Sequence, residues 1–128
     1  MDHHFRKKWG QNFLVDNNLL DKIVSTVNPQ ENDHILEIGP GGGVLSERIL
    51  PQVKEMLAIE IDPLLVDQLN KQKNLNRLNV IQGDILINNI RDLPITNPVR
   101  VIGNIPYNIT SPIIFWWIII YWIKLYQQ

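Results

Sequence analysis

With 128 residues, the chain is long enough for a single hydrophobic core and too short for a complete doubly wound sheet. It is 45% hydrophobic and 20% charged, with 12 basic against 13 acidic side chains, so no overall positive charge marks it as a nucleic-acid binder. It has no cysteine, which excludes disulfide frameworks and thiolate metal sites and fits a reducing compartment.

The start, Met-Asp-His-His-Phe-Arg-Lys-Lys, has no apolar core for a secretory leader, so the expected location is cytoplasmic. Residues 1–15 read as a basic arm that packs Trp9, Phe13 and Leu14 onto the body. Asp16 stands where it can cap a helix whose apolar positions Leu19, Leu20, Ile23, Val24 and Val27 share one face, and Pro29 ends it. His3, His4 and His34 have no partner at metal-ligand spacing, so no metal is expected.

The stretch that organises the chain is Ile35-Leu-Glu-Ile-Gly-Pro-Gly-Gly-Gly-Val44. A short strand enters a glycine-rich turn, and Val44–Leu50 reads as the helix that follows. Such a unit opens a βαβ fold with its loop at the carboxyl edge of the sheet. Glycines at 39, 41 and 43 leave out the Cβ atoms that would hold a ligand off the backbone. A dinucleotide fingerprint begun at Gly39 needs its third glycine where Val44 stands, which makes a nicotinamide enzyme a distant alternative. The pattern present is E-x-G-x-G-x-G, and Glu37 disfavours a pyrophosphate. That spacing points to S-adenosylmethionine, which has a cationic sulfonium and no phosphate.

Met56–Ile61 reads as a strand buried on both faces, and Asp62-Pro63 as the cap and first residue of a helix buried through Leu64, Leu65, Val66 and Leu69. Leu78–Gln82 is a third strand, residues 85–98 are irregular or one short helix, and Val99–Gly103 is a fourth strand ended by Asn104-Ile-Pro-Tyr107. The strand ends at 38, 60, 83 and 103 should therefore converge on one crevice. Glu60 is placed to accept hydrogen bonds from both hydroxyls of a ribose, and Asp84 from the exocyclic amine of an adenine. The Asn104 side chain and the Pro106 carbonyl can accept the two protons of an aromatic amine, with Tyr107 stacked on the base.

Together these stretches resemble the KsgA-type family of ribosomal RNA small-subunit adenine dimethyltransferases. The match runs in order and spacing through Gly10–Leu14, Glu37–Gly43, Ala58–Pro63, Gln82–Asp84 and Gly103–Pro112. The resemblance implies a Rossmann-like α/β methyltransferase core with strand order 3-2-1-4. It also implies S-adenosylmethionine as cofactor, held through Asn12, Leu14, Gly39, Glu60, Asp84 and Asn104, with Gly10–Leu14 as a flap. Gly41 joins that set through the glycine loop. The Asn-Ile-Pro-Tyr element would hold the target base. The implied substrate is a pair of adjacent adenines near the 3′ end of small-subunit rRNA in the immature subunit, with no membrane involved.

The family's chains continue through three more strands and a small C-terminal helical domain, neither of which follows here. Residues 1–115 are thus expected to be the N-terminal part of the catalytic domain. Residues 116–128, Trp-Trp-Ile-Ile-Ile-Tyr-Trp-Ile-Lys-Leu-Tyr-Gln-Gln, are expected to be an aberrant apolar tail of a truncated or frame-shifted product. On that reading the fourth strand is an exposed sheet edge beside an unburied aromatic helix. The alternative function is then an inactive fragment that at most binds the cofactor or RNA.

Overall fold

The computed structural model describes residues 17–85, 87–106 and 116–123, and gives backbone pairing alone for 104–106 and 116–123. Five strands form one sheet of order β3-β2-β1-β4-β5: β1 His34–Ile38, β2 Glu55–Glu60, β3 Asn79–Gln82, β4 Val99–Pro106 and β5 Trp116–Ile123. The first four are parallel, with Ile38 opposite Ile59 on one side and Gly103 on the other. The strand order 3-2-1-4 and the helices between the strands make this the expected Rossmann-like α/β fold.

Among the described residues three α-helices accompany the sheet: α1 Asn17–Val27, α2 Val44–Ile49 and α3 Pro63–Lys71. Helix α1 buries Leu20, Ile23 and Val27, the stripe its spacing predicts. It stops where Asn28 adopts a left-handed φ of 48° and returns its amide to the Val24 carbonyl, with Pro29 beyond. Asp62 caps α3 by accepting from the Leu64 amide at 3.0 Å, and Pro63 occupies the first turn. Helix α2 tightens into a 3-10 turn over Leu50–Gln52, with Pro51 in its first positions.

Both faces of the sheet are covered, as a parallel sheet requires. On one face Leu20, Ile23, Val27, Leu45, Ile49 and Leu69 of the helices meet Ile35, Met56 and Ala58. On the other, Leu36, Leu57, Ile59, Val99 and Val101 are covered by Ile85, Leu93 and Ile95 from the segment between β3 and β4. That segment is irregular apart from a 3-10 turn at Ile90–Asp92.

Two expectations are corrected here. The fourth strand does not end at Gly103: it runs to Pro106, which puts Asn104 and Pro106 within β4 rather than in a loop after it. Nor is β4 an exposed edge beside a helix. Residues 116–123 form the antiparallel strand β5, in register from Val99↔Ile123 to Pro106↔Trp116. The run Trp-Trp-Ile-Ile-Ile-Tyr-Trp-Ile is made of β-branched and aromatic residues, the types that favour a pleated strand over a helix. Among the described residues, β5 alone flanks β4 beyond Gly103, so Pro106, which has no amide proton to donate, sits at a position that tolerates it.

The opposite, amino edge of the sheet is tied by a buried ion pair. Arg100 Nη1 donates to Asp33 Oδ2 at 2.7 Å, both residues being less than one-tenth exposed. The same guanidinium donates to the carbonyls of Val27 and Asn28, while the Asp33 carbonyl accepts from Lys54 and Glu55. One pair thereby joins the end of α1, the start of β1 and β4.

Candidate active site

At the carboxyl edge, the glycine loop is held by its neighbours from three sides. Gly39, Gly41 and Gly43 have φ of 67°, 59° and 86°, a region that side chains with a Cβ rarely adopt. Their reasons then diverge. Among the described residues, the space that a Cβ would take at Gly39 has no neighbour within 4 Å, so the loop is open to them there. At Gly43 a Cβ would lie 2.8 Å from Leu75 Cδ1 and 2.9 Å from Leu69 Cδ2, so this glycine lets α3 and the 3-10 turn after it pack against the loop.

Glu60, at the end of β2, reaches the loop directly. Its Oε1 accepts from the Gly41 amide at 3.2 Å and its Oε2 from the Asp62 amide at 2.9 Å. The residue is 4% exposed, so the carboxylate lies beneath the crevice floor and orders the loop as well as facing it. A carboxylate offers about four lone-pair positions, enough to hold backbone donors and accept further hydroxyl groups.

Glu37 is the buried member of the site. Its carboxylate accepts from the Ser46 hydroxyl on α2, with Glu37 2% and Ser46 0% exposed. Burial pushes its pKa up to about 7; the Ser46 hydrogen bond opposes this, and the nearby Glu60 charge adds to it. Glu37 thus fastens the first turn of α2 to β1 underneath the loop. The sequence pattern marked Glu37 but gave no sign of Ser46 as its partner.

At the end of β3, the Gly83 amide donates to the Glu60 carbonyl at 3.0 Å. Asp84 then begins a turn in which its carbonyl accepts from Ile87 and Asn88. Glu60 and Asp84 therefore sit at the ends of adjacent strands, and Asn104 stands one residue beyond the Ile38–Gly103 pair. The sequence candidates Gly39, Gly41, Glu60, Asp84, Asn104 and Pro106 are brought to one edge, while Asn12, Leu14 and Tyr107 lie outside the described residues.

The reading of the sequence missed the exposed apolar groups at this edge. Ile61 is 53%, Leu64 59% and Ile87 81% exposed, each within four residues of Glu60 or Asp84. Leu64 was expected to be buried, but its place in the first turn of α3 points it away from the core, which Leu65 and Leu69 fill. Exposure could not be read from spacing alone, because an isoleucine ending a buried strand looks like core.

A separate groove of about 400 Å³ between α1 and α2 is lined by Asp21, Val24, Ser25, Arg48 and Gln52. Its Arg48 already bonds Asp21 and Asn17, and none of the strand-end residues reaches it. Among the described residues no cluster of acidic or histidine side chains could hold a metal, and no helix is long and apolar enough to cross a membrane.

The family model described as ribosomal RNA adenine dimethylase matches residues 2–126. The ribosomal RNA small subunit methyltransferase A of Cupriavidus pinatubonensis is 42% identical over 114 residues, which are 88% of this chain and 41% of that protein. The protein of the same name from Haemophilus ducreyi is 41% identical over 122 residues, 90% of this chain and 42% of that one. Among solved structures, the 23S rRNA methyltransferase ErmE is similar at 30% identity and a TM-score of 0.62, covering 77% of this chain and 39% of its own. The chain thus spans about two-fifths of the length of these relatives.

Proposed function

This chain belongs to the ribosomal RNA adenine dimethylase family, and from that membership we propose that it forms the cofactor-binding part of an enzyme that methylates adenine in ribosomal RNA. The methyl donor is S-adenosylmethionine. The substrate is a pair of adjacent adenines near the 3′ end of small-subunit rRNA, met in the immature small subunit in the cytoplasm.

The observation that carries this reading is the single unit formed by the glycine loop and Glu60 at the ends of adjacent parallel strands. The residues present fit the cofactor. Gly39 leaves an open backbone face, Glu60 brings a carboxylate for the ribose hydroxyls, and Asp84 supplies an acceptor for the adenine amine. Exposed Ile61 and Ile87 beside them offer apolar surface to a purine. Gly41 contributes through the loop, and Asn12 and Leu14 close over the cofactor by the family resemblance. When bound, the cofactor supplies a methyl group on an electrophilic sulfonium.

The chain's own residues then hold the acceptor. The Asn104 side chain and the Pro106 carbonyl would accept the two amine protons, which would orient the nitrogen toward the methyl group and raise its electron density. Tyr107 stacks on the target adenine, which must leave its own stack to reach the site. None of these residues has to act as a strong base, because a methylated amine is cationic and sheds its proton readily.

The test joins this chain to the remaining length of the Cupriavidus relative and measures tritiated methyl incorporation into under-methylated small subunits. Incorporation is expected, and Asn104→Ala should lower turnover about a hundredfold while leaving cofactor affinity within a few-fold. Equal turnover with and without Asn104 would remove it from the catalytic step.

A further inference from the structure

The glycine loop has two edges. Gly39 is the open one, whereas the peptide between Gly42 and Gly43 is closed on both sides. The Gly43 amide donates to the Pro40 carbonyl at 3.0 Å, and the Gly42 carbonyl accepts from the Gln72 side-chain amide at 3.0 Å. The second contact crosses 30 residues of sequence, from the loop after β1 to the end of α3.

Gln72 is well placed to act as an anchor. It terminates α3, where its amide donates to the Leu69 carbonyl, and its own carbonyl accepts from Leu75 to start the next 3-10 turn. Its backbone is thus fixed on both sides. Leu69 and Leu75, three residues before and after it, fill the slot that the missing Cβ of Gly43 leaves. Two apolar side chains press on the loop from below, and one donor fixes the direction of its carbonyl.

We propose that Gln72 is a positioning residue for the cofactor, acting through Gly42 to hold the glycine loop in its binding conformation. This rests on the reading of the loop as the cofactor cradle. Helix α3 carries both ends of the device, since Asp62 at its start is tied to Glu60 and Gln72 at its end is tied to Gly42. A loop held only by packing could rotate the Gly42–Gly43 peptide, because three of its glycines already occupy the permissive region of φ. A donor at position 72 removes that freedom before ligand arrives, and pre-organisation of this kind raises affinity without adding a contact to the ligand.

Calorimetric titration of S-adenosylhomocysteine into the full chain tests this, with Gln72→Leu and Gln72→Lys beside the parent. Leucine keeps bulk and loses the donor, whereas lysine restores a donor on a flexible stem. Gln72→Leu should bind about five- to tenfold more weakly, Gln72→Lys should recover most of the loss, and all three should melt within a few degrees of one another. Equal affinity for all three overturns the proposal, as does equal weakening in both variants, or a loss of affinity that only follows a loss of folded protein by circular dichroism. A parent chain that does not bind overturns the reading of the cradle together with this one, whereas binding that ignores Gln72 overturns this one alone.

Discussion

The Gly41 amide donates to Glu60 Oε1 across the β1–β2 pair, at 3.2 Å. Because of that bond, the loop after the first strand and the carboxylate after the second are not two independent contributors to a ligand site. Displacing either one displaces the other.

Gly39 and Gly43 separate binding from stability. Gly43→Ala forces a Cβ onto Leu69 and Leu75 at a strained φ, and should cost about 2–4 kcal/mol of stability in urea denaturation. Gly39→Ala meets only the backbone strain, about 1 kcal/mol, but should weaken S-adenosylhomocysteine binding because it fills the open face. Equal stability losses in the two variants would contradict the division of the loop into two edges.

Glu37 predicts a pH dependence of opposite sign to that of an ordinary surface carboxylate. Below pH about 4.5 it is protonated in both folded and unfolded chains, and its contribution is fully favourable. As pH rises from about 4.5 to about 7 the unfolded chain ionises while the buried carboxyl keeps its proton, so stability falls. Above that window the loss is complete, on the order of 3 kcal/mol. Glu37→Gln should shrink the fall in stability between pH 5 and pH 8, measured by urea denaturation at each pH. An unchanged fall would place the pH dependence elsewhere.

At the other edge, Arg100→Met leaves Asp33 buried without the guanidinium that compensates it. Breaking a buried pair from one side costs about 3–5 kcal/mol, so this variant should unfold at clearly lower urea. Cofactor affinity of the folded fraction should stay near the parent's, because the pair lies at the amino ends of the strands and the site at their carboxyl ends. A large loss of affinity in folded protein would show that the two edges are coupled.

The fold was legible because its signals are local. Alternation and apolar runs marked β1 to β3 within a residue or two, and Asp62-Pro63 marked the start of α3, whereas the strand order came from the family resemblance and not from local signals. The site residues were legible as types at strand ends. What was hidden depends on three-dimensional pairing. Ser46 and Gln72 sit in ordinary helical surroundings, and only their distances to Glu37 and Gly42 give them a part in the loop. The strand at Trp116–Ile123 was not legible, because an apolar segment without polar periodicity shows neither helix nor strand until its partner is known, and here that partner is β4.

On the proposed function, the strand ends form one cofactor site with Glu60 at its centre. Calorimetric titration of S-adenosylhomocysteine into the parent chain and Glu60→Ala tests it most directly. The parent should bind, and the variant should bind about tenfold or more weakly, since it loses the tether on Gly41 and the carboxylate proposed to accept from the ribose. Equal affinities, or no binding by the parent, would contradict the account.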